Sequence, residues 1–209
     1  VTQKKHRFKY TILLFCLATV IAFAFYAPHY LTYSESPLRS DAIVLLLGKD
    51  FKARKKEAQR LLADGFSTHL IIPAYGQVLK PSNGGHLVLI QQIHSTPNST
   101  KWKKKNTWPH RRYEDTHVEV LHAKSAMDSL GFKSANFVSS PYHMRRIKLI
   151  ANSVFGGGDY SLSYVPTRYE EISENLWWFN EFDLKWVVGE YLKIAWFLMY
   201  EPFCKSNAL

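Results

Sequence analysis

The sequence predicts an α/β fold, a parallel sheet with helices on both faces, preceded by one N-terminal transmembrane helix. Three observations predict it. Thr11 to Ala27 is an unbroken uncharged apolar run with a basic flank. Asp41-Ala-Ile-Val-Leu-Leu-Leu-Gly48 and Ala135 to Ser140 are continuous apolar runs of the kind buried on both sides in a parallel sheet. Between such runs lie helical patterns closed by Gly65 and Gly131. Alternating strand and helix patterns argue for βα units. The 209 residues, 46% of them hydrophobic, suit one domain plus an anchor.

The elements follow in order. Residues 1–33 comprise a basic stub, Lys4 to Lys9, and the apolar run, extended past Pro28 to a length that crosses a hydrocarbon core. The basic flank favours the cytoplasm, so the rest of the chain lies outside. A cleaved signal peptide is the competing reading, with a poor cleavage signal around Ala24 to Ala27. Residues 34–209 form the α/β domain. The spacing predicts strands at 41–48, 69–74, 135–140 and 160–165, and helices at 50–64, 86–94, 116–130 and 141–155. Residues 95–112 read as a basic insertion, and 174–204 as an aromatic tail, either covering the domain or lying at the membrane surface.

Net charge is +10, but it is local. Residues 1–10 carry four bases and residues 101–112 six, with no acid in either stretch; the remainder is balanced, 17 against 17. A basic face built into the domain body is missing, which argues against nucleic acid as a partner. Two cysteines, Cys16 in the apolar run and Cys204 near the C-terminus, exclude a disulfide framework or a cysteine-rich zinc module. The histidines show no metal spacing, and no Walker A, G-x-G-x-x-G, G-x-S-x-G or H-E-x-x-H occurs. No metal is expected, and the cofactor is left unknown.

Chemistry-bearing residues gather at strand ends, where open α/β sheets bind ligands. After Gly48, Arg54 falls on the apolar stripe of its helix, and a core-facing guanidinium needs an anion or a structural carboxylate. Before the third helix stands Glu114, an acid/base candidate. Thr116 and Glu119 follow it on the inward stripe, with a capping box as the structural alternative. After the next strand, Ser139-Ser140-Pro141-Tyr142-His143-Met144-Arg145-Arg146 places Ser140 at the N-cap and Pro141 at the first helical position. His143 then lies in the positive first turn, which favours neutral imidazole. His143, Arg145 and Arg146 beside free N–H groups make a candidate anion site.

On these motifs, from about Asp41 to Val165, the chain resembles the YdcF/SanA/ElyC-like family of bacterial envelope proteins. The strand ending at Gly48, Arg54, Glu114 with Thr116, and Val138-Ser-Ser-Pro-Tyr-His143-Met-Arg-Arg146 carry the resemblance. It implies a Rossmann-like domain with a polar cleft at the strand ends. It also implies work on cell-wall or lipid-carrier-dependent polysaccharide pathways. Where the family commonly has Ser-Gly-Gly after the second strand, this chain has Pro73-Ala-Tyr-Gly-Gln77.

The expected function is therefore that of a bacterial inner-membrane protein whose outer domain binds, and processes, a phosphorylated or lipid-linked envelope intermediate. Arg54, Arg145 and Arg146 would hold the phosphate, with Gly48, Thr116, Glu119, Ser139 and Ser140 around it. His143 and Glu114 would be the catalytic pair. Two alternatives stand beside it: a non-catalytic module for a nucleotide-like ligand such as S-adenosylmethionine, and a scaffold contacting partners through Trp177, Trp178, Trp186 and Trp196.

Overall fold

The computed structural model describes residues 2–48, 50–82, 86–92, 114–156, 158–173 and 176–205, with backbone alone for 2–8 and 203–205. The basic insertion, with Trp102 and Trp108, lies outside the described residues.

Helix α1 (Thr2–Leu31) contains the apolar run, and Lys9–Leu31 is long and apolar enough to cross a membrane, a property that a signal sequence shares. Strand β1 (Ala42–Leu45) follows, then α2 (Phe51–Ala63), β2 (Leu70–Ile72), β3 (Gln77–Pro81), β4 (Leu87–Gln92), α3 (Asp115–Leu130), β5 (Ser134–Ser139), α4 (Met144–Phe155), β6 (Ser161–Pro166) and α5 (Glu181–Lys205). The six strands form one sheet in the order β4-β3-β2-β1-β5-β6.

Four adjacent strands, β2-β1-β5-β6, are parallel. The expected wholly parallel sheet is corrected at one edge, where β3 and β4 are antiparallel. Pro73 explains the change. It cannot donate to a ladder, so β2 stops at Ile72 and Pro73–Tyr75 make a single 3-10 turn. Gly76 then takes a left-handed φ of 61°, which reverses the chain into β3. The helix expected at 86–94 is also corrected. Leu87-Val-Leu-Ile90 pairs with β3 as a strand, and a short apolar run carries no period that separates the two forms.

Helices cover both faces. On one, Ala58 and Leu61 of α2 pack on Ile43, Leu45, Leu70, Val138 and Val165. On the other, α3 and α4 bring Val120, Ala123, Met127, Ile147 and Ile150 onto Val44, Leu46 and Phe137, and α5 adds Phe197 and Tyr200. Buried side chains of this size contribute roughly 1.5–3 kcal/mol each. A third cluster joins Ala27 and Leu31 of α1 to Tyr142, Trp177, Val187 and Ile194. The last turns of the apolar helix thus belong to the domain. Pro28 denies the carbonyl of Ala24 its helical donor, and the Trp177 indole Nε1–H donates to that oxygen at 2.6 Å.

Candidate functional site

The order of the sheet reverses at β1. From there α2 leads to β2 on one side, while β5 lies on the other. The C-terminal ends of β1 and β5 are adjacent, with Leu45 opposite Val138. Two arginine-centred clusters are built at this point.

Arg54 organises the first. Its side chain is only 1% exposed. Nε and Nη2 donate to the hydroxyl of Ser140 at 3.0 and 2.7 Å. Nη1 donates to the carbonyls of Leu46, at 3.3 Å, and Leu47. The Ser140 hydroxyl in turn donates to Glu170. Ser140 therefore binds the guanidinium and does not cap the following helix. Gly48 lies over the same group: a Cβ there would fall 2.2 Å from Nη2 of Arg54. Glu119 accepts from the Leu47 N–H at 3.1 Å and is buried. Burial pushes its pKa up to about 8, against the Leu47 hydrogen bond and the Arg54 charge, so it keeps its proton at neutral pH.

Arg146 organises the second cluster, between α3, α4 and α5. Nε donates to Oε2 of Glu190 at 2.6 Å and Nη2 to Oε1 at 3.2 Å. Nη1 donates to Thr116 Oγ1 at 2.8 Å and to Glu114 Oε1 at 3.1 Å. Thr116 and Glu119 each serve an arginine cluster or strand end, so the capping-box alternative is not what forms.

His143 sits in a 3-10 turn, Pro141–His143, ahead of α4. Its Nδ1 is 3.0 Å from Oε1 of Glu190 and 3.1 Å from Nη2 of Arg146. A ring nitrogen cannot donate and accept together. Burial favours an ionised Glu190 less, but the hydrogen bond from His143 and the charge of Arg146 outweigh it and hold Glu190 well below the carboxylate range. With Glu190 an anion, Nδ1–H donates to it and Nε2 is the acceptor nitrogen. Burial lowers the His143 pKa to about 4, so the imidazole is neutral. A carboxylate-oriented neutral imidazole is the form required of a general base. Glu114 has its pKa raised by burial, against the attraction of Arg146.

An open cleft of ≈ 380 Å³ lies above Arg146, lined by Glu114, Asp115 and Thr116 from the start of α3, and by Leu192, Lys193 and Trp196 from α5. Lys193 donates to Glu190 at 2.9 Å from the rim. Cations and carboxylates are mixed there, and α5 adds the apolar Leu192 and Trp196 beside Lys193.

No family model, curated protein or solved structure matches the chain.

The strand-end placement brings Gly48, Arg54, Glu119 and Ser140 into one cluster and Glu114, Thr116, His143 and Arg146 into the other. The two interact electrostatically, Arg54 with Glu190 and Arg146 with Glu119. Ser139 is buried at the end of β5, its carbonyl accepting from Thr167 N at 2.9 Å. Arg145 is not brought to the site. It donates to the Tyr30 carbonyl at 2.8 Å and lies over the rings of Tyr30 and Tyr33, tying α4 to α1.

Sequence reasoning missed Glu190, Glu170 and Lys193. Glu190 had a signal. It falls on the inward stripe of its helix, at Asp183, Val187, Glu190, Ile194 and Phe197, and a carboxylate there needs a cation. Glu170 follows β6, a strand end to which no role was given. Among the described residues no group of three His, Cys, Asp or Glu is placed to hold a metal.

Proposed function

We propose that the protein is anchored in the bacterial inner membrane by α1, with its domain on the outer side, and that the Arg146 cleft binds the phosphate of a phosphorylated or lipid-linked envelope intermediate. The observation that carries this is a buried guanidinium at the floor of an open cleft, with a second cation, Lys193, on the rim and apolar residues beside it. The Glu114 carboxylate on Nη1 occupies the place that a phosphate oxygen would take. Burial raises its pKa against the attraction of Arg146, so its hold on the guanidinium carries a desolvation cost that release to water removes. The His143–Glu190 pair would then supply the base for hydrolysis or transfer at the phosphoryl or glycosyl centre. The reading departs from the sequence expectation in three respects. Arg54 does not line the cleft and holds the ends of β1 and β5 in place, Arg145 turns to α1, and Glu114 is the group that a phosphate displaces, which leaves Arg146 as the ligand-facing cation.

The parallel core that reverses at β1 supports a Rossmann-like, YdcF-like assignment, and the basic flank of α1 supports its orientation.

The test is binding of a short-chain polyprenyl phosphate to the full chain in detergent, measured by native mass spectrometry. Lys193→Ala, at a half-exposed position, should weaken binding about tenfold, the scale of one charge-assisted hydrogen bond. Glu114→Gln should preserve or tighten it. Equal binding by wild type and Lys193→Ala would refute the phosphate role. Preferential binding of S-adenosylmethionine would favour the non-catalytic alternative.

A further inference from the structure

The apolar helix α1 is exposed from Tyr10 to Phe23, and past that point one face of it, with Ala27, Pro28 and Leu31, is covered by protein while Phe25, Tyr26 and Tyr30 stay exposed. Tyr10 to Phe23 spans about 21 Å at 1.5 Å per residue. A hydrocarbon core is about 30 Å thick. The missing length must come from Ala24 onward, where the carbonyls of Ala24 and Ala27 accept from Trp177 Nε1 and Tyr191 Oη at 2.6 and 3.0 Å. Tyr191 also packs on the rings of Phe23 and Tyr30, and Trp178 on Phe25. Helix α5 and the turn before it therefore stand at the depth of the outer boundary of the bilayer.

The surface that α5 turns away from the domain suits that depth. Val188, Leu192, Ala195, Trp196 and Met199 lie on one outward stripe, which the exposed Glu181–Lys185 ion pair continues at its N-terminal end. Leu192 is 66% exposed, and Phe179, in the turn before α5, is 81% exposed. The inward stripe of the same helix carries the buried Glu190 and Asp183. The inward stripe also carries the apolar Val187, Ile194 and Phe197, so α5 shows apolar side chains on both faces, where a helix that faces water alone would keep them to one. Trp and Tyr at the anchor junction match the residues that settle at headgroup level.

We propose that the outward face of α5, together with Phe179, docks into the outer-leaflet interface of the same bilayer that α1 crosses. The chain would then touch the membrane twice, by a spanning helix and by one lying in the interface. The proposal rests on the anchoring reading of α1. It does not depend on which ligand the cleft takes, although Leu192 and Trp196 line both the docking face and the cleft, which puts the cleft mouth among the headgroups.

The experiment uses the full chain, with Cys16→Ser and Cys204→Ser, in vesicles of phosphatidylethanolamine and phosphatidylglycerol. Nitroxide labels are placed singly at Val188→Cys and Leu192→Cys, with Ile12→Cys in the anchor and Lys52→Cys on α2 as references. All four sites are exposed, so labelling leaves the core intact. Collision with oxygen against a water-soluble nickel chelate reports depth. Labels at 188 and 192 should favour oxygen, as the label at 12 does, and the label at 52 should favour nickel. If 12 favours oxygen while 188 and 192 favour nickel, docking is wrong and anchoring stands. If 12 favours nickel, both fail. If 188 and 192 are shielded from both colliders and show dipolar broadening between molecules, a second copy covers the face and the proposal is overturned.

Discussion

The guanidinium of Arg146 and the carboxylate of Glu190 meet in a two-pronged pair, Nε to Oε2 at 2.6 Å and Nη2 to Oε1 at 3.2 Å, with both side chains buried. The pair joins α4 to α5 across the floor of the cleft. Removing one partner leaves a buried charge uncompensated, which costs about 3–5 kcal/mol. Glu190→Leu should therefore lower the stability of the chain in detergent by that order, read from denaturant midpoints. The double variant Glu190→Leu/Arg146→Met should recover most of the loss, because an apolar pair replaces the ions. Equal destabilisation by single and double variants would show that the pair is not the source.

Stability should peak between two opposed limbs in pH. His117 and His143 have pKa values lowered by burial to about 4, against an ordinary 6.5. The unfolded chain then binds more protons than the folded one between those values, so stability falls as pH drops from 6.5 towards 4. Glu119, raised from 4.5 to about 8, works the other way: the folded state holds the extra proton, and stability falls as pH rises from 4.5 to 8. Each group contributes at most about 1.4 kcal/mol per pH unit. Glu119→Gln should flatten the alkaline limb above pH 6.5 and steepen the acid limb between 4.5 and 6.5, where Glu119 opposes the histidines. An alkaline limb unchanged in the variant would rule out Glu119 as its origin.

Gly48→Ala should be far more harmful than an exposed Gly→Ala change ordinarily is. The added methyl meets the Arg54 guanidinium, which has no free space because Ser140, Leu46 and Leu47 hold it. Overpacking of this kind costs roughly 1–3 kcal/mol. A thermal melt of the variant checks it, and Gly65→Ala, strained only by its φ of 75° with open space around it, is the comparison.

Arg145→Ala should leave ligand binding in the cleft unchanged and loosen the junction with α1. The lost contacts are the hydrogen bond to the Tyr30 carbonyl and the stacking on Tyr30 and Tyr33, each ring contact being worth about 0.5–1 kcal/mol at an exposed site. Hydrogen exchange across residues 29–34 should rise. Weakened phosphate binding with unchanged exchange would restore Arg145 to the site.

The Arg54 cluster was legible because strand ends in an α/β sheet converge by construction. Knowing that Gly48 and Ser140 stand at such ends was enough to group them with Arg54, while Glu114, at the start of α3, joins the other cluster through Arg146. What a lone carboxylate or guanidinium does there was less legible. Arg54 and Arg146 look alike on a helical wheel, and only their neighbours show that one ties strands together while the other faces the cleft. Glu190 was hidden by its context, a single acid on the packing stripe of an aromatic tail whose docking partner the sequence did not name. Strand β4 was misread because Leu87 to Ile90 has no period, and Arg145 because adjacency to Arg146 says nothing about direction: side chains one apart on a helix diverge by about 100°.

The cluster of Ala27, Leu31, Trp177, Val187 and Ile194 closes the chain upon itself, with Trp177 bonded 153 residues back and Tyr191 164 residues back. During synthesis α1 is made before these partners, and the Ala24 carbonyl waits without a donor until Trp177, in the turn before α5, has been added. Contacts of such long range are the slowest to form. The last turns of α1 thus lack these packing partners until every strand of the sheet has been synthesised. A stop codon between β6 and Trp177 would yield six strands with α2, α3 and α4 on them but with Ala27 and Leu31 uncovered by α5, a species suited to recognition by quality-control proteases.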